Sequence, residues 1–380
     1  MLKKILSSVV IIIILIYNFK DEVYSDNIIV LGSSLPKTGI MKELGINLEQ
    51  GAKAYFNYAN ENNIIKNKKI KLLTYDDKYE PEITFKNINK LIDNKKVFGL
   101  FGFVGTPTIE KILPIIYKTE IPFIAPFTGA SFLRDKRYTS IVNFRANYAQ
   151  EIEKIVSYLH DKKDLRKFAI FYQNDNYGEE VYISLIKALN KRNLELISVG
   201  TYKRNTLSIR NAFQEMKDTK PEVIIMIGAY KANTLFINKA QDDDNFKDTI
   251  FCNISFGVAN TIIKDIKNTK NLLFTQVVPN YMDKNIPIVK EYHKIMNKYF
   301  PNTKYGFISF ESFLAAKIVV YSLSQIQGNI TKEKFLFNLK NIPTNILNGL
   351  DIKYKNSQLL NKVYLYKYEN NKFYEIQKDK

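Results

Sequence analysis

The chain alternates short apolar runs with segments whose apolar residues recur every three or four positions. NIIVLGSS reads as a strand. From Glu43 onward, Leu44, Leu48, Ala52, Tyr55, Phe56 and Ala59 share one helical face. KIKLLTYD is a second strand, and Pro81 opens a helix at a position proline favours, with Phe85, Ile88 and Ile92 on one side. VFGLFG is a third strand, Thr106-Pro107 reads as an N-cap and first helical residue, and IPFIAP is a fourth strand. The alternation then starts afresh. Ile152, Ile155, Val156 and Leu159 mark a helix, KFAIFYQ a strand, and Tyr182, Leu185, Ile186 and Leu189 a helix. LELISVGTY is a strand; Ile209, Ala212, Phe213 and Met216 mark a helix; EVIIMIG is a strand. A helix with Leu235, Phe236 and Ala240 follows, then TIFCN. Strand–helix alternation builds parallel sheets with helices on both faces, and two such series of domain size predict an α/β protein of two lobes. The tail breaks the rhythm. After NLLFTQVVPN comes a helical stretch from about Ile286 to Gln325, interrupted at Pro301, then a polar stretch and the β-rich DIKYK and KVYLYKYENNKFYEI. Such a tail can cross between lobes more than once, which makes the domains discontinuous.

The 380 residues suffice for two domains. Ahead of the first strand, Lys3 and Lys4 precede ILSSVVIIIILIY, shorter than the ~20 residues a membrane span needs. With VYS ending at Ser25 it reads as a signal peptide, the alternative being an uncleaved anchor. No second apolar stretch of that length follows, so the mature chain is expected to be exported and soluble. Cys252 is the sole cysteine, so the chain has no internal disulfide and no cysteine near residue 25 to carry a lipid. It reads as a small apolar residue of a strand. The formal charge of +18 is spread through every segment rather than clustered, so no nucleic-acid partner is expected.

Catalytic motifs are missing. There is no GxxxxGK[ST], HExxH, CxxC or GxSxG, and GxGxxG fails because Leu100 stands where its first glycine belongs. The two histidines, His160 and His293, read as surface residues. Asp76-Asp77 is the best carboxylate pair, and it reads as turn and cap residues. No catalytic, cofactor or metal site is expected. What remains is a set of strand-to-helix turns: GSSLPKTG, GFVGTPT, APFTGASF, YQNDNYG, GAYKAN and NISFG. In open parallel sheets these turns gather at the carboxyl ends of the strands, where ligands bind. Helix N-termini there offer free N–H groups to an anionic group, and glycine lets a ligand approach the backbone.

LGSSLPKTG, LLTYDDKYEPEITFKNINKLI, FVGTPT, PFIAPFTGASFLR, FYQNDNYGEE and TQVVPN occur in that order. Together with the signal peptide they resemble the periplasmic substrate-binding proteins of branched-chain amino-acid-type ABC transporters, the type I, leucine/isoleucine/valine-binding-like group. The resemblance implies two Rossmann-like lobes with parallel central sheets and a hinge of three crossovers near 145–148, 275–280 and 347–349. After a signal peptide over 1–25, the N-terminal lobe takes 26–146 and 278–346, and the C-terminal lobe 147–277 and 347–380. It implies a periplasmic monomer that binds a small molecule between its lobes, does no chemistry, and delivers the ligand to an ABC permease of the inner membrane. The alternatives are a receptor subunit for a signalling kinase or chemoreceptor and, further off, an α/β enzyme using Asp76-Asp77. By motif position, the first lobe contributes Gly105, Thr106, Phe127 and Thr128 to the ligand. The second contributes Tyr148, Tyr177, Tyr230 and Ser255 or Phe256. Three positions depart from the amino-acid binders of that group. Gly129 stands where a hydroxyl takes the ligand carboxylate, Ser255 or Phe256 where a carboxylate takes the ammonium, and Gln150 where another acid often occurs. A buried ammonium without a countercharge is costly. The expectation is a ligand with apolar or aromatic surface rather than an α-amino acid.

Overall fold

The computed structural model describes residues 27–376, so the signal peptide expected over 1–25 lies outside the described residues. The first series runs β1 (Ile28–Leu35), α1 (Lys42–Glu61), β2 (Lys69–Asp76), α2 (Pro81–Asn89), β3 (Gly99–Phe101), α3 (Thr106–Thr119), β4 (Phe123–Ile124) and β5 (Ile141–Val142). Its strands are parallel throughout, in the order β2-β1-β3-β4-β5. The closing strand β5 has only two residues and no periodicity to betray it.

The second series runs α4 (Tyr148–Leu159), β6 (Phe168–Gln173), α5 (Asn176–Asn190), β7 (Leu196–Tyr202), α6 (Arg210–Thr219), β8 (Val223–Ile227), α7 (Tyr230–Ala240), β9 (Ile250–Asn253), α8 (Ala259–Asp265) and β10 (Leu272–Gln276). Helix α4 starts sharply because Asn147 and Gln150 form a reciprocal capping box. Its apolar stripe, Ile152, Ile155, Val156 and Leu159, is fully buried. All five residues of β8 are buried, as a central parallel strand covered on both faces requires.

Three helices follow: α9 (Pro287–Tyr299), α10 (Phe307–Ser324) and α11 (Lys332–Lys340). By length and composition α10 could cross a membrane, a second long apolar stretch not anticipated from the sequence. It is instead a core helix with 16 of its 18 residues buried. It packs along α1, and Gly51 permits the approach: a Cβ there would fall 2.0 Å from the carbonyl oxygen of Ser309. The chain ends in β11 (Tyr364–Glu369) and β12 (Lys372–Glu375), an antiparallel hairpin on the edge of the second sheet, whose order is β12-β11-β10-β9-β8-β6-β7. DIKYK, read as a strand, is irregular; its backbone bonds locally, Ile352 N–H to Thr344 and Lys353 N–H to Leu359.

Phe213 on α6 packs against Phe236 and Phe246 at 5.5 and 5.2 Å between ring centroids, away from the lobe interface. Phe213→Ala is expected to lower the unfolding free energy by about 3–5 kcal/mol in chemical denaturation, the cost of a large core cavity.

Candidate functional site

Omitting the hairpin, the two sheets share one strand order: β2-β1-β3-β4-β5 in the first, β7-β6-β8-β9-β10 in the second. Each reverses direction beside its first strand, and the crevice at the carboxyl ends beyond that point is where such sheets bind ligands. The turns after β3, β4, β6 and β9 meet there, one sheet facing the other.

After β3, Gly105 takes a left-handed φ of 101° and occupies the cap position of α3, so the helix begins at Thr106, one residue earlier than the sequence reading placed it. Only glycine fits: a Cβ would lie 2.3 Å from Cε2 of Tyr79. Thr106 is no cap. Its hydroxyl pairs with that of Thr128 at 2.8 Å, and Thr128 donates to the Tyr148 hydroxyl at 3.1 Å. Tyr148 opens α4 and donates its N–H to Gly129 O at 2.9 Å. A Cβ on Gly129 would come within 2.6 Å of the Tyr148 ring, so the departure at this position makes room for that ring.

Above this hydroxyl chain the aromatic rings close. Tyr148 and Tyr177 stand 5.5 Å apart between centroids, Tyr177 and Phe256 4.7 Å, Phe127 and Phe256 6.0 Å, and Tyr79 and Phe256 6.2 Å. All five are buried. Phe256 thus lies between Phe127 and Tyr177, which the sequence reading set directly against each other. Burial holds the phenols of Tyr79 and Tyr177 well above their usual pKa, so both remain neutral donors.

Beneath Phe127 lies Arg145, which the motif reading did not include. Its guanidinium carbon sits 4.1 Å from the Phe127 ring centroid. Nε and Nη2 fork onto Glu311 of α10 at 3.0 and 3.2 Å, and Nη2 also donates to the Ser255 hydroxyl at 2.8 Å. Ser255 in turn donates its N–H and hydroxyl to Glu151, at 2.8 and 2.9 Å, and Thr275 adds a third bond at 2.6 Å. Burial opposes the charge on Arg145, but the carboxylates of Glu311 and Glu151 outweigh it and raise its pKa.

A polar seam binds the two sheets across the cleft. Lys78 and Tyr79 both adopt left-handed backbone, at φ 54° and 63°, and the Asp77 carboxylate holds that turn by accepting from Tyr79 N–H, Ser34 and Thr84. The Tyr79 hydroxyl accepts from Gln173 of β6 at 3.3 Å. Arg204 bridges Glu80 and Asp175 at 3.1 and 3.3 Å, and Asn205 donates to Glu80 at 2.6 Å. Asp76 accepts from Lys37, Thr38 and Lys78, so both aspartates shape turns, as the sequence suggested.

Of the expected site residues, Gly105, Thr106, Phe127, Thr128, Tyr148, Tyr177, Ser255 and Phe256 converge. Tyr230 stands apart from these rings. It lines a cavity of about 440 Å³ with Glu43, Ile46, Val258 and Asn260. Gln150 caps α4 and bonds Asn361 O and Gln358. His293 is buried rather than exposed, bonded to Tyr281 O at 2.8 Å and stacked on Tyr305. Cys252 is buried in β9. Among the described residues no cluster of His, Cys, Asp and Glu could hold a metal ion.

Comparison with known proteins agrees with this geometry. Residues 28–372 match the model of a periplasmic binding protein family. A possible leucine/isoleucine/valine-binding protein from Rhodopirellula baltica superposes with a TM-score of 0.87 at 29% identity, covering 94% of this chain and 98% of that one. A branched-chain amino-acid ABC transporter protein from Thermus thermophilus, solved with bound valine, gives 0.83 at 15%, covering 93% and 96%. A solute-binding protein from R. palustris, solved in complex with benzoate, gives 0.81 at 15%, covering 92% and 95%. The last two comparisons speak to fold alone.

Burial pushes the Asp77 carboxyl up to about 6, against an unfolded value of 3.8. A raised carboxyl favours folding when protonated, so its contribution is fully present below the unfolded value and is lost as pH rises through about 6. Denaturant unfolding should show wild type losing stability relative to Asp77→Asn as pH rises from about 4 to about 7. A difference that does not change with pH would contradict this assignment.

Proposed function

The chain belongs to the periplasmic binding protein family, and we propose from that premise that it is an extracytoplasmic receptor for one small organic solute. The lobes close on the solute, and the closed form delivers it to an ABC permease; the protein itself catalyses nothing. The observation that carries this reading is the ring cluster, in which Phe127 and Tyr79 from the first sheet meet Phe256 and Tyr177 from the second. Helices α3 and α5 begin in the turns after β3 and β6, and a helix N-terminus carries partial positive charge, although at α5 the Asp175 carboxylate already accepts from Tyr177 N–H. On this reading the lobes are 26–146 with 278–346 and 147–277 with 347–380, joined near 145–148, 275–280 and 347–349. The hairpin β11–β12 on the second sheet and the packing of α10 on α1 support that division. The segment 1–25 directs export, and the receptor acts as a monomer.

A ligand is expected to emerge from a thermal-shift screen of amino acids, aromatic acids, purines and short amides, since binding raises the melting temperature by mass action. With the best hit, Phe127→Ala and Tyr177→Ala should each weaken calorimetric affinity by about tenfold or more, the equivalent of ~1.4 kcal/mol. Both should cost less stability than Phe213→Ala, because opening the lobes already exposes their rings. Full loss of stability with affinity intact would make them core residues and misplace the pocket. Osmotic shock should release the mature protein from cells; retention of full-length chain in the membrane would make residues 5–17 an anchor.

A further inference from the structure

The ring cluster contains two buried polar groups without a hydrogen-bond partner: Nη1 of Arg145 and the hydroxyl of Tyr177. Arg145 is 1% exposed and Tyr177 is not exposed at all. Both groups sit on the same rings, Arg145 beneath Phe127 and Tyr177 against Phe256, which itself touches Phe127. Nη1 lies outside the Nε–Nη2 fork that Glu311 occupies, so that carboxylate does not serve it. A charged N–H buried without an acceptor is among the most expensive groups to leave unpaired.

The acceptors nearby are already taken. Glu151 receives three bonds, Glu311 receives the fork, and Asp77 receives Ser34, Thr84 and Tyr79 N–H. Asp175 receives Gln173, Arg204 and Tyr177 N–H. Each buried carboxylate at the cluster thus already accepts two or three bonds, while two donors have no acceptor. The charge on Glu151 disfavours a second anion, but it is offset. Arg134, half-buried beside Arg145, donates to the neutral oxygens of Ala130, Arg145 and Gln358.

We propose, building on the receptor reading above, that the solute is an organic carboxylate without an α-ammonium group. Its anionic end accepts from Arg145 Nη1 and the Tyr177 hydroxyl, and its apolar body lies against Phe127 and Phe256. An α-amino acid would bring an ammonium against the unpaired Arg145 and Tyr177 donors, and its nearest carboxylates already accept from Ser255, Thr275 and Arg145; a neutral amide would forgo the charge-assisted bond.

The test is calorimetric titration with matched compounds: isocaproate against leucine, hydrocinnamate against phenylalanine, and the two corresponding amides. The low-molecular-weight fraction of a cell extract serves as a probe of no assumed class, read by melting temperature. At least one acid is expected to bind about tenfold or more tightly than its amino acid and its amide. Tyr177→Phe, which keeps the ring, should cut that affinity about tenfold, and Arg145→Lys should cut it further. Amino acids binding more tightly than their deaminated acids would overturn the inference and leave the receptor reading standing. An acid whose affinity survives Tyr177→Phe would move the anion site elsewhere and overturn it as well; this arm holds even if Arg145→Lys fails to fold. No response to any compound or to the extract would overturn the receptor reading, and this inference with it.

Discussion

The structure turns on one buried guanidinium. Arg145 lies where the chain first passes from the first sheet to the second, and its side chain is almost wholly out of water. A charge in that position must be matched, because removing one partner of a buried pair costs about 3–5 kcal/mol. The matching comes from both sides: Glu311 on α10 and Ser255 at the end of β9. Ser255 is fixed in turn by Glu151. The planar fork of arginine suits a carboxylate on one edge and an aromatic face beneath, here Phe127. One residue thereby fixes where the second sheet's turns sit relative to the first.

Once that register is set, the rings and hydroxyls follow. Phe256, next to Ser255, is placed among Phe127, Tyr79 and Tyr177. Tyr148 is drawn over Gly129 and reaches the Thr128 and Thr106 hydroxyls. The Tyr79–Gln173 bond is buried with the rings, whereas the Glu80–Arg204 pair is partly exposed, a setting where single ion pairs contribute little. On the receptor reading proposed above, the inner contacts would select what is held and the outer ion pair would break to let it in.

Much of this was legible in the sequence, for a physical reason. Parallel sheets gather their strand-to-helix turns at the carboxyl ends of the strands, so GFVGTPT, APFTGASF, YQNDNYG and NISFG mark one candidate site once the alternation is read. Eight of the nine expected residues converge on that account. The parts that were not legible depend on distance along the chain. Arg145 and Glu311 are 166 residues apart, and nothing local pairs them. An arginine in NFRAN, between a strand and a capped helix, was the available signal. Tyr79 was hidden in a turn that reads as ionic, and its position depends on two consecutive left-handed residues. Gln150 caps α4, while its neighbour Glu151 is buried and accepts from Ser255 and Thr275, a split that adjacent positions do not reveal. At Gly105 and Gly129 a tyrosine ring, Tyr79 or Tyr148, also occupies the space of a Cβ, a constraint the sequence does not display.

The central claim is that a small molecule drives two lobes together around the ring cluster. Small-angle X-ray scattering addresses it most directly. The protein would be stripped of bound solute by unfolding and refolding, measured, then measured again after dialysis against the low-molecular-weight fraction of a cell extract. The account predicts a larger radius of gyration for the stripped protein and contraction to the closed dimensions on replenishment. Identical scattering curves, with the melting temperature raised by the same extract, would show binding without closure and contradict the account.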